Sequence, residues 1–97
     1  MYALVLIRYR APIEQIEAAT ADHRAYLRTL REAGTLLASG PLDPRTGGAL
    51  LLRLPEADPN ALDRIRDGDP YWQRGLANYE LLRWNPGLGR EALDTLR

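Results

Sequence analysis

The chain has 97 residues, of which 45 % are hydrophobic and 27 % are charged, a composition typical of one globular domain. Its 13 basic residues, all arginine, balance 13 acidic residues, and a formal net charge of zero argues against non-specific binding of nucleic acid or acidic membranes. The absence of cysteine excludes disulfides, thiol nucleophiles, iron–sulfur clusters and cysteine zinc sites, and a single histidine argues against a metal site within one chain.

The N-terminal segment predicts a β-strand from Tyr2 to Tyr9, because it is rich in β-branched and aromatic residues. Its apolar run is too short to span a membrane, and no charged segment of a signal peptide precedes it, so we expect a cytoplasmic protein. Side chains alternate between the two faces of a strand. One face therefore carries Ala3, Val5, Ile7 and Tyr9, and the other carries Tyr2, Leu4 and Leu6. Both faces are apolar, which indicates a central strand covered on both sides.

A helical pattern opens at Pro12 and runs to about Ala33, where Gly34 ends it. One stripe recurs at spacings of three and four residues, formed by Ile16, Ala19, His23, Tyr26, Leu27, Leu30 and Ala33. Thr20 or Asp22 could cap a second start, so the pattern also allows two helices with a bend. In either case the stripe points His23 towards the interior.

The rest of the chain predicts three more strands and two short helices. TLLASG (35–40) is a strand, PLDPRTGG (41–48) a turn, GALLLRL (48–54) a strand apolar on both faces, and LPEADPN (54–60) a loop. A short helix follows over 60–67, Asp69 and Pro70 begin another helical segment, NYELLRW (78–84) is the last strand, and REALDTLR (90–97) is a helical tail.

The element order βαββαβ predicts an α+β fold of the ferredoxin-like type, with one antiparallel sheet and both helices on one face. We expect a single domain over residues 1–97, with a core of 1–85 and a C-terminal tail of 86–97. Helices cover only one face of the sheet, yet the first and third strands are apolar on both. A monomer rarely tolerates a free apolar face of that size, so we predict a homo-oligomer, most simply a two-fold dimer.

Two polar residues have both structural and chemical interpretations. His23 is either a catalytic group or a polar residue with satisfied hydrogen bonds on an apolar helix face. Asp69 precedes Pro70 and is therefore a favoured helix N-cap, but its carboxylate would also suit an orienting partner for an imidazole. Tyr71 and Trp72 follow Asp69 and could wall a pocket. No spacing in the sequence shows that His23 and Asp69 meet.

Four motifs, HRAYLRTLREAG, LLASGPL, DGDPYWQRGL and YELLRW, occur in the order and spacing of a known family. From the first strand to about residue 84 the chain resembles the YciI-like (YCII-related) proteins, and only the tail falls outside. The resemblance implies a dimeric ferredoxin-like α/β barrel. It also implies that His23 and Asp69 are the family's recurrent histidine and aspartate, and that Ser39-Gly40-Pro41 is its glycine–proline motif beside the pocket. Tyr71 stands where relatives often carry phenylalanine.

The resemblance favours a cofactor-independent enzyme of the lyase or isomerase type, since relatives catalyse reactions such as dehydrochlorination or lactone isomerisation. Neutral His23 would act as the base and Asp69 would orient it, with an unperturbed histidine pKa of about 6.5 close to working pH. Arg8 could bind an acidic substrate, although it is as easily a surface ion-pair partner.

The alternative is a noncatalytic dimer that binds a small molecule or a partner domain. We expect no cofactor, no metal and no membrane association. The third strand lacks the aromatic residues of RNA-recognition domains, which argues against nucleic-acid binding despite the shared element order.

Overall fold

A four-stranded antiparallel sheet forms the centre of the molecule in the computed structural model, which describes residues 1–55 and 58–96. The strands are β1 (Tyr2–Tyr9), β2 (Leu36–Pro41), β3 (Gly47–Arg53) and β4 (Ala77–Trp84). Their order across the sheet is β2-β3-β1-β4, so the two strands with apolar residues on both faces are the central pair. The loop predicted over 54–60 and the tail predicted over 90–97 each lie partly outside the described residues.

The helices lie between and after these strands. They are α1 (Ile13–Glu32), α2 (Ala61–Asp67), α3 (Pro70–Gln73) and α4 (Arg90–Asp94). The predicted ferredoxin-like α+β fold is confirmed, with α3 as an additional turn in the connection between α2 and β4. Of the described helices, none combines the length and the apolar character that crossing a membrane would require.

One continuous helix, α1, replaces the possible pair of helices with a bend. The Thr20 hydroxyl donates to the carbonyl of Ile16 within the helix, so it caps no second start. Two residues after the helix ends at Glu32, Gly34 adopts the left-handed conformation, with φ of 80°. There the amide of Thr35 donates to the carbonyl of Leu30, a contact typical of a Schellman ending, which turns the chain into β2.

The hydrophobic core lies between the helices and one face of the sheet. It includes Ala3, Val5 and Ile7 of β1, Leu50 and Leu52 of β3, Ile16, Ala19 and Leu27 of α1, and Leu62 and Ile65 of α2. The alternate residues of the central strands therefore face away from the helices, as the period of two requires.

The outer face of the sheet is the face without helices. Strand pairing gathers on it the apolar side chains of Leu4, Leu6, Ala49, Leu51, Leu82 and Trp84, which are half-buried or exposed. The tail covers one end of this face, where the Tyr2 hydroxyl donates to Asp94 Oδ1 at 2.5 Å. The rest of the outer face has no cover from the described part of the chain.

Candidate active site

A cavity of about 280 Å³ opens between α1 and the end of the sheet at which β1 finishes. Its lining comprises Ile7, Tyr9, Ser39, Gly40, Pro41, Gly48, Ala49 and Leu50 of the sheet, Thr20, His23, Arg24 and Leu27 of α1, and Arg45 and Tyr71 from the connections. Most of the predicted site residues therefore meet at one cavity, and its volume suits one small molecule.

His23 and Asp69 are in contact, although 46 positions separate them in the chain. His23 Nδ1 lies 2.8 Å from Asp69 Oδ1. The Asp69 side chain is 1 % exposed and that of His23 is 12 % exposed, so the carboxylate lies behind the imidazole and only the imidazole lines the cavity. This contact joins α1 to the start of α3.

The same carboxylate oxygen of Asp69 is also the N-cap of α3. Oδ1 accepts the backbone N–H of Tyr71 at 3.1 Å. An ionised carboxylate can only accept hydrogen bonds, so beside ionised Asp69 the imidazole Nδ1 of His23 is the donor in their contact. The other nitrogen, Nε2, then carries the free lone pair, and it has no protein hydrogen-bond partner within residues 1–55 and 58–96. Asp69 therefore caps α3 and orients the imidazole of His23 at the same time, so the two interpretations of this residue are compatible.

Tyr71 forms a wall that fixes the plane of the imidazole. The Tyr71 and His23 rings are stacked, with centroids 3.9 Å apart and an interplanar angle of 12°. The Tyr71 hydroxyl lies 2.8 Å from Thr20 Oγ1, and it is the donor because the only hydroxyl proton of Thr20 goes to the carbonyl of Ile16. Burial raises the pKa of Tyr71. Its phenol is therefore neutral at neutral pH, and it packs against the imidazole and is anchored by Thr20.

A second tyrosine lies behind the pair. The Tyr79 hydroxyl and Asp69 Oδ2 are both buried, and neither has a hydrogen-bond partner in the described portion of the protein. Burial, followed by the charge of Asp69, raises the pKa of Tyr79. The Asp69 carboxylate acts directly on this phenol, so the two groups lie close together behind the imidazole. Tyr79 therefore remains a neutral phenol beside the carboxylate.

Charge is distributed unevenly around the cavity. Two arginines, Arg24 and Arg45, line it, and no aspartate or glutamate lies among its described lining residues. In the part of the chain that the structure describes, no cluster of three or more histidine, aspartate or glutamate side chains is arranged to hold a metal ion. The cavity wall is basic and aromatic in character.

Several lining residues were not predicted from the sequence to belong to the site. Tyr9 lies edge-on to Tyr71, with ring centroids 5.9 Å apart, and Thr20 anchors the Tyr71 hydroxyl. The guanidinium carbon of Arg45 lies 5.9 Å from the Tyr9 ring centroid. Tyr9 shares a strand face with Ile7, so the alternation along β1 could have placed it on the inner side of the sheet. No pattern in the sequence could have placed the loop residue Arg45 at the cavity.

Two of the candidate residues lie elsewhere. Arg8 is exposed on the outer face of the sheet, since alternation along β1 turns it away from Ile7, and it is not part of the described cavity lining. Trp72 packs edge-on against Tyr79, with ring centroids 5.7 Å apart, and under the guanidinium of Arg66, so it does not wall the cavity. Of the expected aromatic pair, only Tyr71 borders the site.

Comparison with known proteins agrees with the family resemblance and with the fold. The sequence profile of the YCII-related domain matches residues 1–85. No curated protein is significantly similar to the chain. Among solved structures, the 5-chloro-2-hydroxyhydroquinone dehydrochlorinase of Burkholderia phenoliruptrix, in complex with 2,5-dihydroxybenzoquinone, is similar with a TM-score of 0.75 and 23 % identity over 90 % of this chain and 96 % of that one. At this identity the likeness establishes the fold. The profile match confirms what the four motifs predicted, and the chain belongs to the YCII-related family.

Proposed function

We propose that this protein is a cofactor-independent enzyme that transfers a proton on a small organic substrate, with His23 as the base and Asp69 as its orienting partner. The observation that carries the proposal is the 2.8 Å contact between His23 Nδ1 and Asp69 Oδ1 beside a cavity. The similar solved structure supports chemistry on small molecules, because that protein is a dehydrochlorinase in complex with a quinone.

The proposed step begins with the lone pair of His23 Nε2. This nitrogen takes a proton from a carbon next to a carbonyl group of the substrate, and the electron pair of the broken C–H bond moves onto the carbonyl oxygen to form an enolate. The imidazolium of His23 then returns the proton to another atom of the enolate, which is isomerisation. Alternatively the enolate expels a leaving group with its electron pair, and the imidazolium passes its proton to that group or to water, which is elimination. Neither route needs an oxidant or a reductant.

Asp69 contributes by holding the tautomer. Its buried carboxylate keeps the proton of His23 on Nδ1, so that Nε2 is the basic atom, and its charge stabilises the imidazolium that forms. A positioned general base of this kind contributes about 10² to 10⁴ in rate. Stacking on Tyr71 and the cap of α3 hold both groups in place before a substrate arrives.

The test is proton exchange in heavy water. Wild type is incubated in D₂O with 5-chloro-2-hydroxyhydroquinone and with a panel of small enolisable keto acids, and deuterium uptake or chloride release is followed by NMR and ion chromatography. We expect at least one compound to react, and His23→Gln to slow that reaction about 100-fold or more while its amide still donates to Asp69. Arg28→Gln, on the same helix but outside the cavity lining, is the matched control.

Equal rates for wild type and His23→Gln would contradict the proposal. Wild type that turns over none of the compounds, but retains a small molecule unchanged through purification, would favour the noncatalytic binding dimer.

We also propose that the protein is a homodimer joined through the outer face of the sheet. The support is the group of uncovered apolar side chains on that face, among them Leu6 and Leu51 of the central strands. A free face of this kind is rare in monomers. Packing two sheets face to face would cover it and would give the barrel that the family resemblance implies.

A further inference from the structure

We infer that the substrate of this cavity carries a negative charge, and that Arg45 is the residue that selects for it. The inference rests on the proposed site and names its substrate class: a small organic acid, ionised at neutral pH as a carboxylate or as an enol conjugated with a carbonyl. Two positive side chains and no negative one line the described cavity, whereas the whole chain has a formal net charge of zero. The positive charge is therefore a local feature of the site.

The one carboxylate near the cavity does not cancel this charge. Asp69 is 1 % exposed, lies behind the imidazole of His23, and is engaged with the Nδ1 proton and with a backbone amide. A ligand in the cavity meets the imidazole and the two guanidinium groups first. An anion is favoured at such a surface because its charge is paired with groups that are already in position.

Arg45 is available for a ligand. Its only described acidic neighbour is Glu17, with Arg45 Nη1 4.0 Å from Glu17 Oε1, and both side chains are well exposed. An ion pair that is so long and so exposed contributes little, so an anion in the cavity displaces it at small cost. The guanidinium carbon also lies 5.9 Å from the centroid of the Tyr9 ring, and both residues line the cavity. Arg24, one residue beyond His23 on α1, supplies the second charge.

The charge of the arginines also suits the proposed step. Removal of a carbon-bound proton from an anion places a second negative charge on the substrate. A guanidinium that already binds the acidic group stabilises this developing charge, in the way that preorganised donors stabilise oxyanions. Arg45 would then act on specificity and on rate together.

Binding of matched probe pairs tests the inference. Benzoate is compared with benzamide, and 2,5-dihydroxybenzoquinone, ionised at neutral pH, with neutral hydroquinone, by isothermal titration calorimetry on full-length wild type at low and high salt. The first pair probes a carboxylate and the second an ionised enol. We expect at least one anion to bind tenfold or more tighter than its neutral partner, and to weaken as salt rises.

The decisive variant is Arg45→Gln, with Arg10→Gln as the matched control. Arg10 lies at the same end of the sheet but does not line the cavity. Both substitutions remove one positive charge, so they change the net charge of the protein equally. Arg45→Gln should weaken binding of the anion by about 10- to 100-fold, as expected for a charge-assisted hydrogen bond, and Arg10→Gln by less than twofold. Neither should change binding of the neutral partner.

Three results would overturn the inference: neutral partners binding as tightly as the anions, equal effects of the two arginine variants, or no saturable binding of either anion. His23→Gln separates this inference from the proposed function. If the anion preference persists in that variant and no compound is turned over by wild type, the site binds acids without converting them. If turnover depends on His23 but charge has no effect on binding, the proposed function stands and the role of Arg45 does not.

Discussion

A single oxygen of Asp69 connects the local fold to the candidate chemistry, because it caps α3 and holds the imidazole of His23. The two roles can be separated by substitution. In Asp69→Asn the amide oxygen can still accept both protons, and asparagine is as good an N-cap as aspartate. In Asp69→Ala both hydrogen bonds are lost.

We therefore expect Asp69→Ala to lower the free energy of unfolding by about 1 to 3 kcal/mol, and Asp69→Asn by less than about 0.5 kcal/mol. Turnover should fall at least tenfold in both variants, since a neutral amide does not stabilise the imidazolium of His23. Urea unfolding measures the first quantity and the heavy-water assay the second. Full activity in Asp69→Asn would show that the negative charge of Asp69 is not needed for turnover.

Because the phenol of Tyr79 is buried, we expect the free energy of unfolding to fall in alkali. Its pKa in the folded protein is raised above the usual value of about 10 by burial and by Asp69. Below pH 10 the phenol is neutral in both states, so its stability contribution is complete there. As pH rises past 10 the unfolded chain loses this proton while the folded protein keeps it, and folding becomes less favourable.

We expect Tyr79→Phe to match wild type at pH 8, because the lost hydroxyl has no partner in the described residues, and to lose less stability than wild type between pH 8 and pH 11. Urea midpoints at several pH values provide the comparison. Parallel pH curves for the two proteins would contradict this account of Tyr79.

At the level of elements, close packing at two glycines supports the sheet and the α2–α3 connection. A Cβ atom at Gly47, the first residue of β3, would overlap the backbone carbonyl of Ile7 in β1. At Gly68 it would lie 2.7 Å from the hydroxyl of Tyr26, a side chain with some freedom to move. Gly87 has no atom within 4 Å of its ideal Cβ position.

The costs of alanine substitution should follow this order. Gly47→Ala should destabilise by about 2 to 3 kcal/mol or more, since backbone cannot yield, Gly68→Ala by a smaller amount, and Gly87→Ala hardly at all. Thermal unfolding of the three variants gives the ranking. A Gly47→Ala variant as stable as Gly87→Ala would mean that the pairing of β1 with β3 is looser than described.

The helices and strands were largely predictable from the sequence, because each has its own hydrophobic periodicity and its own residues that favour a start or an end. Alternation in β1, the stripe on α1 and the glycine at its end each act over a few residues. The possible bend in α1 was wrong, since the hydroxyl of Thr20 bonds within the helix. The cavity was only partly predictable: nothing local in the chain shows that the loop carrying Arg45 crosses to Tyr9, because that approach depends on how distant segments pack.

For the whole molecule, the outer face of the sheet predicts assembly. Wild type should have twice the 10.9 kDa mass of the chain in light scattering after size exclusion. Leu6→Arg places a charge in the centre of that face and should give a folded monomer, whereas Ile13→Arg, at an exposed apolar position on the helical side, should leave the dimer intact. A monomeric wild type would contradict the dimer, and a Leu6→Arg variant that remains dimeric would contradict the proposed interface on the outer face.

In the proposed mechanism, Asp69 holds His23 with its proton on Nδ1 and a free lone pair on Nε2. Nitrogen-15 NMR of the imidazole tests this directly, because the tag-free chain has one histidine and the couplings to the two ring carbon-bound protons distinguish Nδ1 from Nε2. At a pH where the imidazole is neutral, the account predicts a protonated Nδ1 and an unprotonated Nε2 in wild type, and loss of this preference in Asp69→Ala. A neutral imidazole protonated on Nε2 in wild type would contradict it, since no base would then face the cavity.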